Sequence, residues 1–300
     1  MTTSLLQSKS PFPSQAEIEK TPFFPQEQYQ CGPAALATVL HFQDQQTQPD
    51  ELIEKVYIPQ KQGSVPLEIT ATARGYHFIP YPLDSSLEKL VQEIAAGHPV
   101  IVMQNLGFSW KPQWHYAVVI GYDLNKQVFV LRSGTVKRHI TPFKTFERTW
   151  RRADYWALVI LPPDKVPATA TAPKYLRVAH DLENTGQRLN ALTAYRTASR
   201  QWPDNPLPWL ALGNAYYAGK NLPAAEQALR EGLTMNRNSA QLWNNLGYVL
   251  QEQGCSKQAY EAISCAIQKQ PGNPDFQQSL AEITTQAEKS NSCAAVLCLD

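Results

Sequence analysis

Cys31 stands in the string Gln26-Glu27-Gln28-Tyr29-Gln30-Cys31-Gly32-Pro33-Ala34-Ala35-Leu36, and His115 opens the run Tyr116-Ala117-Val118-Val119-Ile120-Gly121-Tyr122. A thiol and an imidazole are a nucleophile and a general base that together can open a peptide carbonyl. Residues 33–40 have helical apolar spacing, with Pro33 in the first turn where its missing N–H costs nothing, so Cys31 falls at a helix N-terminus. Unpaired N–H groups and the positive dipole end favour a thiolate there, with a pKa below the free-thiol value of about 8.5. Gln26 lies far enough ahead of the nucleophile to supply an oxyanion donor beside the Cys31 backbone N–H. The alternative readings are a buried small hydrophobe for Cys31 and a satisfied core histidine for His115. The chemical reading is favoured because Gln26, Cys31, the Gly32-Pro33 pair and His115 fit one mechanism.

The segments that must position these residues read as an α+β domain, with helices first and an antiparallel sheet after them. The Cys31 helix is followed by a short helix at 49–56 with an Asp cap, and by a third from Leu67 to Arg74 that Gly75 ends. A strand at 77–81, an amphipathic helix at 86–96 and a buried strand at 99–103 come next. Strands at 115–122 and 127–132 form a hairpin about Leu124-Asn125, and 155–161 supplies another strand. Between them, Phe146 and Trp150 face inward from a short helix whose Arg148, Arg151 and Arg152 read as a solvated face. The loop before His115 holds Asn105 and Ser109 where a cleft wall would lie. Trp110 and Trp114 are candidates to line a peptide groove, with packing as the other role open to them.

The pair Gln-x4-Cys-Gly-Pro-Ala-Ala-Leu and His-Tyr-Ala-Val-Val-Ile-Gly-Tyr resembles the bacteriocin-leader-processing (double-glycine) cysteine peptidases, family 39 of the papain-like clan, over residues 23–161. The resemblance implies a papain-like fold and a Cys-His cleavage of peptides, typically after Gly-Gly in a leader. By it Cys31 is the nucleophile, His115 the base and Gln26 the oxyanion donor. The family's next strand carries an Asp or Asn that orients the His, and here that segment reads Val128-Phe129-Val130-Leu131-Arg132-Ser133-Gly134. The expected hairpin sets His115 opposite Gly134 or a near neighbour, so Arg132 or Ser133 occupies the orienter's place. Arg132 there would disfavour imidazolium. Either Ser133 or a backbone carbonyl holds the ring, or the catalytic pair is weakened. The phosphate-binding Gly-x4-Gly-Lys-Ser/Thr loop of the family's ABC-transporter form is missing from this sequence.

With 300 residues the chain has length for about two domains, and a net charge of +1 with dispersed Lys and Arg gives no case for nucleic acid. Cys31 is the one cysteine before Cys255, which argues against a disulfide framework. Cys255 and Cys265 read as idle thiols, and a local Cys293–Cys298 bridge is the lesser alternative. The histidines form no metal-ligand spacing, so neither metal nor cofactor is expected. Residues 1–21 are polar and read as a disordered leader, and no stretch is apolar enough for a membrane span. Compartment stays open between cytoplasmic and, for a truncated start, exported or envelope-associated.

Residues 22–161 are thus expected to form the peptidase-like domain, and the Pro-rich residues 162–173 an extended linker. Beyond it Tyr175, Trp209 and Trp243 recur every 34 residues, as do Ala179, Gly213 and Gly247, and Ala198, Gly232 and Ala266. This resembles tetratricopeptide repeats, three of them with a capping helix over 174–289, and a tail at 290–300. An array of that kind presents a concave face to a protein partner, and His180, Asn214, Tyr217, Asn244 and Tyr248 are expected on it. The combined expectation is a cysteine peptidase with a substrate-recruiting array. Its alternatives are an impaired peptidase-like peptide binder and a repeat scaffold of a secretion or envelope complex.

Overall fold

The computed structural model describes residues 11–25, 30–58, 63–283 and 293–298. Gln26 therefore lies outside the described residues, as do residues 1–10 of the expected leader, the end of the capping helix and part of the tail. The chain divides into two compact units after Ala170.

In the first unit the elements run β1 (Gln15–Glu17), α1 (Cys31–Phe42), α2 (Pro49–Val56), β2 (Tyr57–Ile58), β3 (Gly63–Ser64), α3 (Pro66–Gly75), β4 (Ile79–Pro82) and α4 (Leu87–Ala95). They continue as β5 (Val100–Asn105), β6 (Trp114–Asp123), β7 (Val128–Ser133), β8 (Val136–Pro142), α5 (Phe143–Arg151) and β9 (Ala157–Leu161). A seven-stranded antiparallel sheet has the order β4-β9-β5-β6-β7-β8, with β1 added on β6. One face packs on α1 through Tyr116, Val118, Ile120, Ile101, Leu158 and Ile160, against Leu36, Val39 and Leu40. Strand alternation explains the selection, since every second residue of β6 meets the helix. Phe146 and Trp150 of α5 are fully buried, while Phe129 packs between Phe143 and Phe146.

Two expectations fail here for the same physical reason, that unpaired polar groups recruit chain the composition marks as loose. Residues 14–21 are not a disordered leader: β1 pairs Gln15 with Asp123, and the Ile18 N–H donates to the Ile120 carbonyl at 2.7 Å. Gly121 permits this approach, because a Cβ there would lie 2.9 Å from the Ala16 carbonyl oxygen. The Pro-rich segment after Leu161 is likewise not a free spacer. Glu93, fully buried on α4, accepts from the Thr169 N–H (2.7 Å), the Thr169 hydroxyl (2.6 Å) and the Ala168 N–H (3.1 Å). Turns closed by Lys165 N–H to Pro162 and by Ala170 N–H to Pro167 complete its folding.

The second unit is helical: α6 (Ala172–Asn184), α7 (Arg188–Gln201), α8 (Pro206–Ala218), α9 (Leu222–Met235), α10 (Ala240–Glu252), α11 (Ser256–Lys269) and α12 (Pro274–Glu282). The first helix of each pair starts at 172, 206 and 240, so the sequence period is the structural one. Its small residues are contact points. A Cβ on Gly213 would lie 2.7 Å from Leu229, one on Gly247 2.4 Å from Ile263, and one on Gly232 2.7 Å from Trp209. The cysteines depart from expectation, because Cys255 is bonded to Cys293, 38 residues on. The tail returns to α11, with Val296 entering the core and Arg230 donating to the Ala294 and Ala295 carbonyls.

Candidate active site

Cys31 is the first residue of α1, partly buried at the edge of the core beneath the sheet. The Gln30 side chain makes no capping bond and Pro33 has no N–H to offer, so among the described residues the Cys31 and Gly32 N–H groups at the helix start have no side-chain cap. Both are directed at the Cys31 sulfur, and a third N–H reaches it from Tyr116 of β6. Burial nevertheless wins: it pushes the thiol above its ordinary pKa, with the three N–H groups pulling the other way. The depressed thiol expected from the helix dipole is thus corrected, because desolvation outweighs the dipole at this depth.

Tyr116 is the residue after His115, so its contact with the sulfur brings the start of β6 to the start of α1. The Tyr116 hydroxyl donates to the Ser64 carbonyl at 3.3 Å, tying in β3. Ser64 in turn explains the glycine after the nucleophile, since a Cβ on Gly32 would fall 2.1 Å from the Ser64 hydroxyl. Neither Tyr116 nor Ser64 was singled out in the sequence.

His115 Nε2 lies 2.8 Å from the Ser133 hydroxyl oxygen. Burial, with His139 nearby as a second cause, pulls the imidazole down to a pKa of about 4. Arg132 does not face the ring. It pairs with Val118, and its guanidinium donates to the carbonyls of Thr21 (2.8 and 3.1 Å), Glu19 (3.2 Å) and Lys137 (2.6 Å). Alternation sends adjacent strand residues to opposite faces, so one of Arg132 and Ser133 reaches His115 and the other cannot. The choice follows from an irregularity between Val119 and Gly121 that shifts the β6–β7 register.

Asn105 is 2% exposed and spends its side chain on its own loop, accepting from Gly107 and Gln113 and donating to Phe108, so it does not front a cleft. Trp114 begins β6 half-exposed, and Trp110 is exposed with its ring stacked on Phe108. Among the described residues no cluster of His, Cys, Asp and Glu could hold a metal ion.

Residues 18–158 match the Peptidase_C39 like family. The N-terminal unit is a C39-peptidase-like domain. A structure of a C39-like peptidase from Bacillus anthracis is similar to it at 17% identity, with a TM-score of 0.41, covering 51% of this chain and 98% of that one. No curated protein matches this chain. Residues 176–240 and 210–274 match the tetratricopeptide repeat, and the C-terminal unit is an array of such repeats. An Arabidopsis OM64 tetratricopeptide domain is similar at 14% identity, TM-score 0.35, covering 39% of this chain and 96% of that one. The first such domain of Spaghetti (RPAP3), bound to the HSP90 peptide SRMEEVD, is similar at 18%, TM-score 0.34, covering 37% and 89%.

The repeat array's candidate residues sit in polar ladders between the first helices of successive repeats. Asn245 donates to Asn214 at 2.8 Å, and Asn244 to Asn245 at 3.5 Å. Tyr217 bonds Glu252, which raises its hydroxyl to about 12, and Lys220 pairs with the same carboxylate at 2.6 Å. Tyr248 donates to Glu282 at 2.9 Å. His180 instead turns to Tyr195 and Glu183. Asn245, Lys220 and Glu252 escaped the sequence reading because they lie off the columns that repeat every 34 residues. The described residues contain no helix long and apolar enough to cross a membrane.

Proposed function

We propose that the C39-peptidase-like domain is a cysteine peptidase in which Cys31 attacks a peptide carbonyl and His115 takes the thiol proton. The observation that carries this reading is the approach of the Tyr116 N–H to the Cys31 sulfur, which sets the nucleophile within one residue of His115. Nε2 is engaged by Ser133, and the mechanism requires the other ring nitrogen to reach the thiol. At neutral pH both partners start uncharged: the thiol is held above its ordinary range and the imidazole near 4. The proton therefore moves during attack and is passed to the leaving amine as the tetrahedral intermediate collapses. Water then opens the thioester with His115 as base. The helix-start N–H groups of Cys31 and Gly32, with Gln26 as the proposed side-chain donor, stabilise the oxyanion. Ser133 orients the ring. The repeat array binds a protein, either the substrate or a partner that delivers it, through the face carrying Asn214, Tyr217, Asn244 and Tyr248.

A second reading has a specific observation in its favour. A neutral thiol, a neutral imidazole and a hydroxyl in place of a carboxylate suit a domain that binds peptides without cutting them. Turnover of a Gly-Gly-containing peptide by the wild type, Cys31→Ala and His115→Ala separates the two. Hydrolysis that both substitutions abolish supports the enzyme. Binding of the peptide without hydrolysis by any of the three supports the binder. Removing residues 171–300 tests the array, which should raise KM for a protein substrate and leave short-peptide turnover intact.

A further inference from the structure

The loop between β5 and β6 carries an apolar surface that the proposed chemistry does not use. Among the described residues the exposed Phe and Trp side chains are Phe108 and Trp110 on this loop and Trp114, where β6 begins. Leu106 beside them is 47% exposed and Trp110 80%. Their exposure does not come from a loose chain. Asn105 accepts the Gly107 and Gln113 N–H groups at 3.0 and 2.9 Å, and Phe108 and Lys111 exchange backbone bonds at 3.1 and 3.2 Å. The Phe108 and Trp110 rings stack at 5.6 Å. A closed, internally bonded loop holding its aromatics outward keeps apolar area in water, which is unfavourable unless something covers it.

Cations flank the loop. Arg152, just past α5, donates to the Asn105 carbonyl at 2.7 and 3.1 Å, and Gln104 bonds Thr149 at 2.6 Å, so the C-terminal end of α5 abuts the loop's base. The outer side of α5 exposes Lys144, Arg148 and Arg151 on successive turns, and Lys111 is exposed on the loop itself. Glu147 and Asp154 are the acids of this stretch, leaving it clearly basic in a chain of net charge +1. We propose that the 105–114 loop and the outer face of α5 form a peripheral docking surface for an anionic lipid bilayer, with Phe108, Trp110 and Trp114 entering the interfacial layer. Indole rings favour that layer, and nearby Lys and Arg add attraction to acidic headgroups. A ring that anchors a bound peptide sits recessed in a concavity, whereas the Trp110 ring projects. This docking stands whether or not Cys31 is a nucleophile.

The test mixes the full chain with vesicles of phosphatidylcholine alone or containing phosphatidylglycerol, read by co-sedimentation and tryptophan emission. Binding to the anionic vesicles alone, with a blue shift and weakening in high salt, is expected. Each cation near an acidic surface contributes about fivefold, so Arg148→Glu with Arg151→Glu should weaken binding by at least about 25-fold. Phe108→Ser with Trp110→Ser should weaken binding and shrink the blue shift to what Trp114 supplies, and unchanged thermal melts would show that both variants fold. Wild type that stays in the supernatant with anionic vesicles overturns the proposal. So does binding that survives both double substitutions, or an aromatic variant that keeps vesicle binding while losing affinity for peptide, which would assign the loop to the substrate cleft.

Discussion

The Ser133 hydroxyl lies 2.8 Å from His115 Nε2, so the imidazole has a neutral hydroxyl as its partner there. A hydroxyl fixes the ring's orientation and adds no charge to stabilise imidazolium. Ser133→Ala should therefore cut kcat by roughly tenfold to 100-fold with little change in KM, the size of effect that misplacing a general base produces. Ser133→Asp should raise the imidazole pKa, visible by NMR titration of His115, and raise turnover. Equal activity in all three proteins would remove Ser133 from the mechanism.

Arg132→Asp should weaken the fold rather than improve catalysis. The guanidinium serves three backbone carbonyls, those of Thr21, Glu19 and Lys137, at 5% exposure. A carboxylate there would face those oxygens unpaired, for a loss of about 3–5 kcal/mol in urea unfolding. A variant as stable as wild type would mean that these bonds do not form in solution.

Burial holds the Cys31 thiol above its ordinary pKa, so its alkylation rate should be low at pH 7 and keep rising beyond pH 9. Mass spectrometry of the Cys31 peptide after timed iodoacetamide exposure follows this directly. A rate already at its plateau by pH 6 would instead reveal a preformed thiolate–imidazolium pair.

His115 also ties stability to pH. Its pKa falls from 6.5 unfolded to about 4 folded, so between those values the unfolded chain holds the extra proton. Stability is complete above pH 6.5 and is lost as pH falls through 4, by up to about 3 kcal/mol before solvent screening reduces it. His115→Gln should flatten that part of the unfolding profile. The same steep loss in the variant would place its origin in another group.

Glu93 should control the segment after Leu161. Its carboxylate takes two N–H groups and a hydroxyl from Ala168 and Thr169, and His98 lies 2.7 Å away. Glu93→Ala leaves the buried Thr169 N–H and hydroxyl without a partner, at a cost of about 2–4 kcal/mol. Proteolysis within residues 162–170 should then accelerate. Wild-type cleavage there as fast as in the variant would return this segment to a free spacer.

Features that rest on local pattern were legible in the residues alone. The recurrence of Tyr175, Trp209 and Trp243 with small residues at fixed offsets makes paired helices at a 34-residue period, because helix packing repeats whatever the residues beside it repeat. The apolar run after Pro33 likewise fixed α1 and put Cys31 at its first turn. Tertiary structure decided what depends on partners distant along the chain. Arg132 and Ser133 are equal candidates until the register beside Ile120 selects a face, and one residue of slip exchanges them. Residues 15–17, the segment around Thr169 and Cys293 carry no local signal for order. Asp123, Glu93 and Cys255 capture them from more than 35 residues away. The charge state of Cys31 belongs to the same class: a helix N-terminus is written in the sequence, and the burial that outweighs it arises only when the sheet closes over α1.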